Sequence, residues 1–234
     1  MKKKIRKLFN RFNVDIHRMA PGENNEQWLY EHSIGTIIDI GAHVGKFSLP
    51  LRDRFPHATI YAFEPLSDAY KKLVANFYGD DYFKAYNVAL GNDNKVVQFH
   101  RSSRATSSSV LKLADLHKKA FPESADETIE EVEMKRLDDF FNTEDNPLIY
   151  DVFIKLDVQG FEYEVLLGGR RTMPKATLLI CEVSFEQLYE GQKLFGDVFH
   201  LLKEYGFEFK GMLDQIYHPQ NGKILQANAI FCKK

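Results

Sequence analysis

Four acidic residues stand at or near the ends of short apolar runs: Asp39 in IIDIG, Glu64 in YAFEP, Asp157 in KLDVQG and Glu182 in CEVSF. In open α/β sheets the carboxyl ends of the strands line the crevice that takes small ligands. A carboxylate placed there can accept ribose hydroxyls, meet an ammonium, or take a proton from a nucleophile. Gly41 and Gly45 follow Asp39 at once. The first opens a backbone conformation closed to residues with a Cβ, so the main chain can approach a ligand closely. The second allows tight packing of the helix that follows.

The turn GAHVGK invites comparison with the dinucleotide fingerprint G-x-G-x-x-G. His43 occupies the second glycine place and Lys46 the third. An imidazole at that point crowds a diphosphate, so the motif fails as a dinucleotide site. A nucleoside without phosphate, S-adenosylmethionine, suits the turn better: main-chain N–H groups would receive its carboxylate, Asp39 its ammonium, and Glu64 both ribose hydroxyls. The alternatives are glycines that serve packing only and a Glu64 that caps a helix. Pro65 fits the turn that follows.

For the acceptor side, Asp157 leads. An aspartate after the apolar run Val152 to Leu156 emerges at the carboxyl end of a central strand, where it either takes the proton of a hydroxyl nucleophile or caps the helix beginning near Phe161. Glu182 either lines the same crevice or is buried as a structural partner, and Lys155 and Gln159 are placed to support the site. Asp157 and Glu182 with a histidine would make a divalent-cation site, an arrangement ranked below metal-free catalysis. No H-E-x-x-H spacing, G-x-S-x-G elbow or phosphate loop occurs.

These residues need a scaffold, and short apolar β-branched runs alternating with helical periods supply it. Strands are predicted over Thr36 to Ile40, Thr59 to Phe63, Phe83 to Ala89, Val96 to His100, Glu131 to Arg136, Val152 to Asp157, Leu178 to Val183, Phe207 to Gly211 and Gln226 to Phe231. Helices are predicted over Val44 to Arg54, Ser67 to Phe77, Phe161 to Leu167 and Gly196 to Tyr205, with another over Glu23 to His32. The pattern is that of a Rossmann-like α/β fold: a doubly wound, mainly parallel sheet in a three-layer α/β/α sandwich. Residues 36–234 form the main domain and residues 1–35 a helical N-terminal extension. The serine-rich stretch from Ser102 to Glu130 breaks the rhythm and reads as an insertion over the site, a lid or binding segment or an ordinary surface excursion.

With 234 residues, 44% of them hydrophobic, the chain suits one large domain. Its 31 basic and 33 acidic side chains leave a net charge of −2, no field that draws nucleic acid. Two cysteines, Cys181 and Cys232, inside apolar runs suit a reducing cytoplasm. Asn10, Arg11 and Asn13 interrupt the apolar stretch that a secretory signal needs, and no run reaches the roughly 20 apolar residues of a membrane helix. The basic segment Lys2 to Phe12 would be a solvated helix or a peripheral membrane contact. Oligomeric state leaves no trace in the residues.

Two longer stretches, KLDVQGFEYEVLLGG at 155–169 and CEVSFEQLYEGQKLF at 181–195, join IIDIGAHVGKFSL, YAFEP, NVALG and ILQANAIF. Together they closely resemble the FkbM family of methyltransferases from about Ile37 to Phe231. The resemblance implies a class I methyltransferase with a seven-stranded sheet and S-adenosylmethionine as cofactor. It also implies methyl transfer to a hydroxyl of a sugar, glycan or polyketide-type metabolite. Carried over by position, Asp39, Gly41 and the turn through Gly45 would hold the methionine end, Glu64 the ribose, and Asn87, Val88 and Ala89 would flank the adenine. Two departures stand out. Asn87 occupies a place where many class I enzymes have an acidic residue, and His43 replaces an expected asparagine, either donating to the cofactor carboxylate or packing beside it. The rival readings are a nicotinamide-dependent oxidoreductase or epimerase, which His43 and Lys46 oppose, and a cofactor-binding module without catalysis.

Overall fold

The computed structural model describes residues 32–141 and 145–233. Ile34–Lys234 form one compact unit, and all elements named below belong to it. The basic segment Lys2 to Phe12 and, apart from His32, the helix predicted over Glu23 to His32 lie outside the described residues. Among the described residues no helix is long and apolar enough to cross a membrane.

The large sheet has seven strands in the order β3-β2-β1-β7-β8-β10-β9: β1 (Thr36–Ile40), β2 (Thr59–Phe63), β3 (Phe83–Tyr86), β7 (Val152–Leu156), β8 (Leu178–Ser184), β9 (Phe207–Tyr217) and β10 (Ile224–Lys233). β1 pairs in parallel with both β2 and β7, and β10 runs antiparallel to its neighbours β8 and β9. The chain builds outward from β1 through β2 to β3, then crosses to the other side of β1 to begin β7. That reversal opens a crevice above the carboxyl ends of β1 and β7, where Gly41 and Asp157 follow.

Strands β1, β7 and β8 are buried along their whole length, as expected of central strands covered on both faces. Ile38, Ile40, Ile154, Leu156, Leu179 and Cys181 share one cluster, closed by Val165 and Leu166 of α5 (Glu162–Gly168) and Val198, Leu201 and Leu202 of α6 (Phe195–Glu204). Helix α1 spans Ser48–Arg54 and begins later than predicted. His43 and Gly45 have φ of 50° and 86°, values that a right-handed helix does not admit. Helix α2 spans Ser67–Asn76.

The predicted strand Phe83 to Ala89 is two elements. β3 ends at Tyr86 in the large sheet, and β4 (Ala89–Leu90) joins a separate three-stranded sheet, β4-β6-β5, with β5 (Lys95–Ser102) and β6 (Glu127–Lys135). Between β5 and β6 lies α3 (Asp115–Ala120), and α4 (Leu137–Phe140) follows β6. The serines of this excursion hold its own backbone. Ser102 Oγ donates to Ser124 O, Ser108 Oγ accepts from Ser102 N–H, and Ser109 Oγ accepts from Leu111 N–H.

Candidate active site

The turn after β1 is fitted against the turn after β7. Gly41 has φ 79°, and a Cβ on it would lie 1.8 Å from the Asp157 carbonyl oxygen. Its N–H and that of Ala42 both donate to Phe63 O at 3.0 Å, and Gly45 N–H donates to Ala42 O at 2.8 Å. His43 N–H donates to Glu64 Oε2 at 2.8 Å. The amides of residues 41, 42, 43 and 45 therefore already have partners within the protein, which narrows the expectation that this turn receives the cofactor carboxylate through its main chain. Gly45 packs against helix α2 rather than the sheet: a Cβ there would meet Phe77 at 2.8 Å and Leu73 at 3.0 Å.

Asp39 and Lys155 are register partners on β1 and β7, so their side chains share a face. Asp39 is fully buried. Its Oδ2 accepts from Ser48 Oγ at 2.6 Å, while Lys155 Nζ stands 3.7 Å from Oδ1. Lys155 Nζ also donates to Gly41 O at 3.2 Å and lies 3.2 Å from Asp157 Oδ2. Burial raises the pKa of Asp39, with Lys155 and Ser48 acting against it. Burial alone would lower that of Lys155, but Asp157 and then Asp39 outweigh it and hold the ammonium above its ordinary value. A buried lysine is thus kept charged by two carboxylates.

At the end of β2, Glu64 accepts Leu66 N–H on Oε1 at 2.9 Å as well as His43 N–H on Oε2. Burial pushes its pKa up to about 7 against the pull of these two amides. Asn87, exposed at the break between β3 and β4, donates to Glu64 O and Pro65 O at 2.9 and 2.8 Å and accepts from Ser67 Oγ. It fixes the loop that carries Glu64. Val88 and Ala89 are buried in two hydrophobic clusters.

Asp157 and Glu182 are brought together by Gln159. The Gln159 amide nitrogen donates to Asp157 Oδ1 at 2.7 Å and to Glu182 Oε2 at 2.8 Å; Gln226 also donates to Glu182 Oε2, at 3.0 Å. Asp157 keeps 30% side-chain exposure, whereas Glu182 is buried. Burial, then the charges of Asp157 and Glu162, push the Glu182 pKa well above the usual carboxylate range. Burial thus favours the proton-bearing form of Glu182, a carboxyl held neutral beside a partly exposed carboxyl group.

Three supporting residues escaped the sequence analysis. Glu162 Oε1 accepts the main-chain N–H groups of Val158 and Gly160 at 3.0 and 3.1 Å and so holds the turn that leads into α5, the helix for which Asp157 was the alternative cap. An acidic residue in the first turn of a predicted helix was the available signal. Ser48, partner of Asp39, and Gln226, partner of Glu182, meet residues distant in sequence, and only the fold reveals them.

Does this crevice fit an amino-acid-bearing nucleoside? Asp39 Oδ1 and His43 Nδ1, on either side of Gly41 in the sequence, are buried without a hydrogen-bond partner. An acceptor with only the Lys155 ammonium at 3.7 Å and a ring nitrogen without a partner match an ammonium and a carboxylate, and Glu64 is tied to the same turn through His43 N–H. The seven-strand order, the reversed β10 and the acidic ends of β1 and β2 define a class I S-adenosylmethionine-dependent methyltransferase.

Within that class, residues 39–209 match the Methyltransferase FkbM domain, and the chain belongs to the FkbM methyltransferase family, with S-adenosylmethionine as its cofactor. It is 28% identical over 173 residues to the 2-O-methyltransferase NoeI of Sinorhizobium fredii, a match covering 70% of this chain and 69% of that one. It is 30% identical over 153 residues to methyltransferase sdnD of Sordaria araneosa, covering 56% of this chain and 59% of that one. Among solved structures, a precorrin-6y C5,15-methyltransferase from Geobacter metallireducens aligns at 13% identity with a TM-score of 0.46, covering 94% of this chain and 93% of that one.

Proposed function

We propose that the protein transfers a methyl group from S-adenosylmethionine to a hydroxyl oxygen of a sugar, glycan or polyketide-type metabolite. The observation that carries this reading is the pairing of a partly exposed Asp157 with a buried Glu182 through one Gln159 amide, beside the glycine turn that fits the cofactor. The similarity to NoeI, a 2-O-methyltransferase, supports oxygen as the methyl acceptor.

The cofactor supplies an electrophilic methyl on a sulfonium. Glu64 accepts the ribose hydroxyls, Asp39 Oδ1 the ammonium, and His43 Nδ1 donates to the carboxylate in the tautomer protonated there. Lys155 offsets the charge gathered at Asp39 and Asp157. Asn87, Pro65 and the backbone of Glu64 to Leu66 form the wall for the base, since Val88 and Ala89 are turned into the core. Asp157 accepts the hydroxyl proton as the oxygen attacks, a general-base contribution of roughly 10²–10⁴. Glu182, with both amide donors on Oε2, holds its own proton on Oε1 and leaves Asp157 as the proton acceptor. Holding the acceptor hydroxyl against the cofactor's methyl group would supply the larger part of the acceleration.

Purified protein incubated with methyl-labelled S-adenosylmethionine and a panel of sugar and polyketide-type alcohols tests the proposal. Label should appear as an alkali-stable ether on at least one alcohol. Label found only on amines or carboxylates would overturn it.

A further inference from the structure

Gln159 lies on the turn after β7 with φ 57°, followed by Gly160 at φ 93°. A side-chain amide presents a donor end and an acceptor end of nearly the same shape. Which end faces Asp157 and Glu182 depends on what grips the other. The grip is Tyr189, whose hydroxyl donates to Gln159 Oε1 at 2.7 Å. With the oxygen committed to that phenol, the nitrogen is left to face both carboxylates.

Tyr189 is itself locked. It is completely buried, and Gly160 lies flat beneath its ring, where a Cβ would come within 2.7 Å of Cδ2. The His117 ring meets it edge-on at 5.4 Å. Its backbone bridges to Leu113, and Ser107 O, at 3.2 Å, is a second and more distant acceptor for the one phenolic hydrogen, which the nearer Gln159 Oε1 takes. Leu113, Ala120, Leu188 and Leu225 complete the apolar surround. Ser107, Leu113 and His117 all belong to the excursion between β5 and β6, so this segment reaches the carboxylate pair through one phenol. Burial keeps that phenol protonated, raising its pKa well above the usual value, and a protonated phenol is the donor that the Gln159 oxygen requires.

We propose that Tyr189 is a positioning residue for methyl transfer: its hydroxyl fixes the Gln159 amide with the nitrogen toward Asp157 and Glu182, and the 102–126 excursion holds Tyr189 in that place. The proposal rests on the reading of Asp157 as proton acceptor. Its consequence is that the excursion acts on the chemistry by supporting the carboxylates from behind, in addition to any contact with the acceptor. Without the phenol, the amide is free to turn its oxygen toward two carboxyl groups, where it has no hydrogen to give to the carboxylate of Asp157.

The test observes the amide directly. In full-length protein saturated with S-adenosylhomocysteine, the side-chain NH₂ of Gln159 should give two separate, exchange-protected ¹⁵N–¹H signals, and the Tyr189 hydroxyl proton a signal of its own with a contact to Gln159. Tyr189→Phe should reduce protection of the Gln159 NH₂ at least tenfold, while backbone protection in β7 and β8 and affinity for S-adenosylhomocysteine stay within about twofold. Equal protection of that NH₂ in wild type and Tyr189→Phe would overturn the proposal. Should the variant not fold, the intact protein decides alone, and a Tyr189 hydroxyl in free exchange with water would overturn it equally. Neither readout involves methyl transfer, so a failed assignment of Asp157, read from turnover of Asp157→Asn, stays distinct from a failed role for Tyr189.

Discussion

The main-chain N–H of His43 donates to Glu64 Oε2 at 2.8 Å, tying the glycine turn after β1 to the last residue before the β2 loop. Glu64 holds Leu66 N–H with its other oxygen. The residue assigned to the ribose therefore also sets the spacing of the two loops between which a nucleoside lies. Each carboxylate oxygen retains a second lone pair for a ribose hydroxyl.

Glu64→Ala should accordingly weaken binding of S-adenosylhomocysteine by more than tenfold in calorimetry, because charge-assisted contacts to the ribose and the anchor of the His43 turn are lost together. Unchanged affinity would remove Glu64 from the cofactor site.

The raised pKa of Glu64, about 7 in the free protein, gives the binding a pH dependence of definite sign. Ribose hydroxyls donate, so they favour the ionised carboxylate, and affinity for S-adenosylhomocysteine should increase as the pH rises from about 6 to about 8. The same shift makes the Glu64 contribution to the stability of the free fold greatest below the unfolded pKa, 4.5, with loss as the pH rises through about 7. Affinity in Glu64→Gln should be flat across that window. A wild-type affinity that is equally flat would show that the cofactor does not engage the carboxylate.

How much of this was visible beforehand depended on the range of the interaction. The strands Thr36–Ile40 and Thr59–Phe63 are legible to the residue, because each is a short, mostly apolar run that a glycine or proline turn closes. The split of Phe83 to Ala89 was not read. Its cause is the Asn87 side chain bonding back to Glu64 O and Pro65 O, a contact across more than twenty residues that no local pattern announces. The same holds for the site. Asp39, Glu64, Asp157 and Glu182 follow from strand ends, whereas the union of Asp157 with Glu182 through Gln159, and of Gln159 with Tyr189, needs the turn after β7, strand β8 and the segment after β8 in register.

Gly41→Ala should destabilise the protein severely, by more than about 2 kcal/mol, since the new Cβ would have to displace the Asp157 carbonyl in a backbone conformation that side chains rarely adopt. Thermal melting measures it. A melting temperature within a degree or two of wild type would mean that the two turns separate easily, contrary to the fit described.

His117 makes the excursion acid-sensitive. Its Nε2 meets Ser124 Oγ at 3.0 Å and its Nδ1 is buried without a partner. Burial lowers its pKa from 6.5 to about 4, with Glu123 and Glu127 pulling upward and Arg104 and Lys118 downward. A depressed histidine contributes stability above its unfolded pKa and loses it as the pH falls through the folded one, here from about 6.5 toward 4, on the order of 3 kcal/mol in all. His117→Leu should have a shallower fall in melting temperature over that range than wild type. An identical pH profile would place the acid sensitivity elsewhere.

Asp157 and Glu182 are distinguished by paired substitutions that keep their size. Asp157→Asn retains a side chain able to accept from Gln159 and leaves the Glu64 loop untouched, so S-adenosylhomocysteine should bind within about threefold of wild type, while turnover on an alcohol acceptor falls by roughly 10²–10⁴ for want of a proton acceptor. Glu182→Gln behaves differently. Burial already favours the proton-bearing form of Glu182, and a glutamine resembles that neutral form, so turnover should fall by no more than about tenfold. The reverse ranking, with Glu182→Gln inactive and Asp157→Asn active, would transfer the base to β8 and leave Asp157 as the partner that holds the turn.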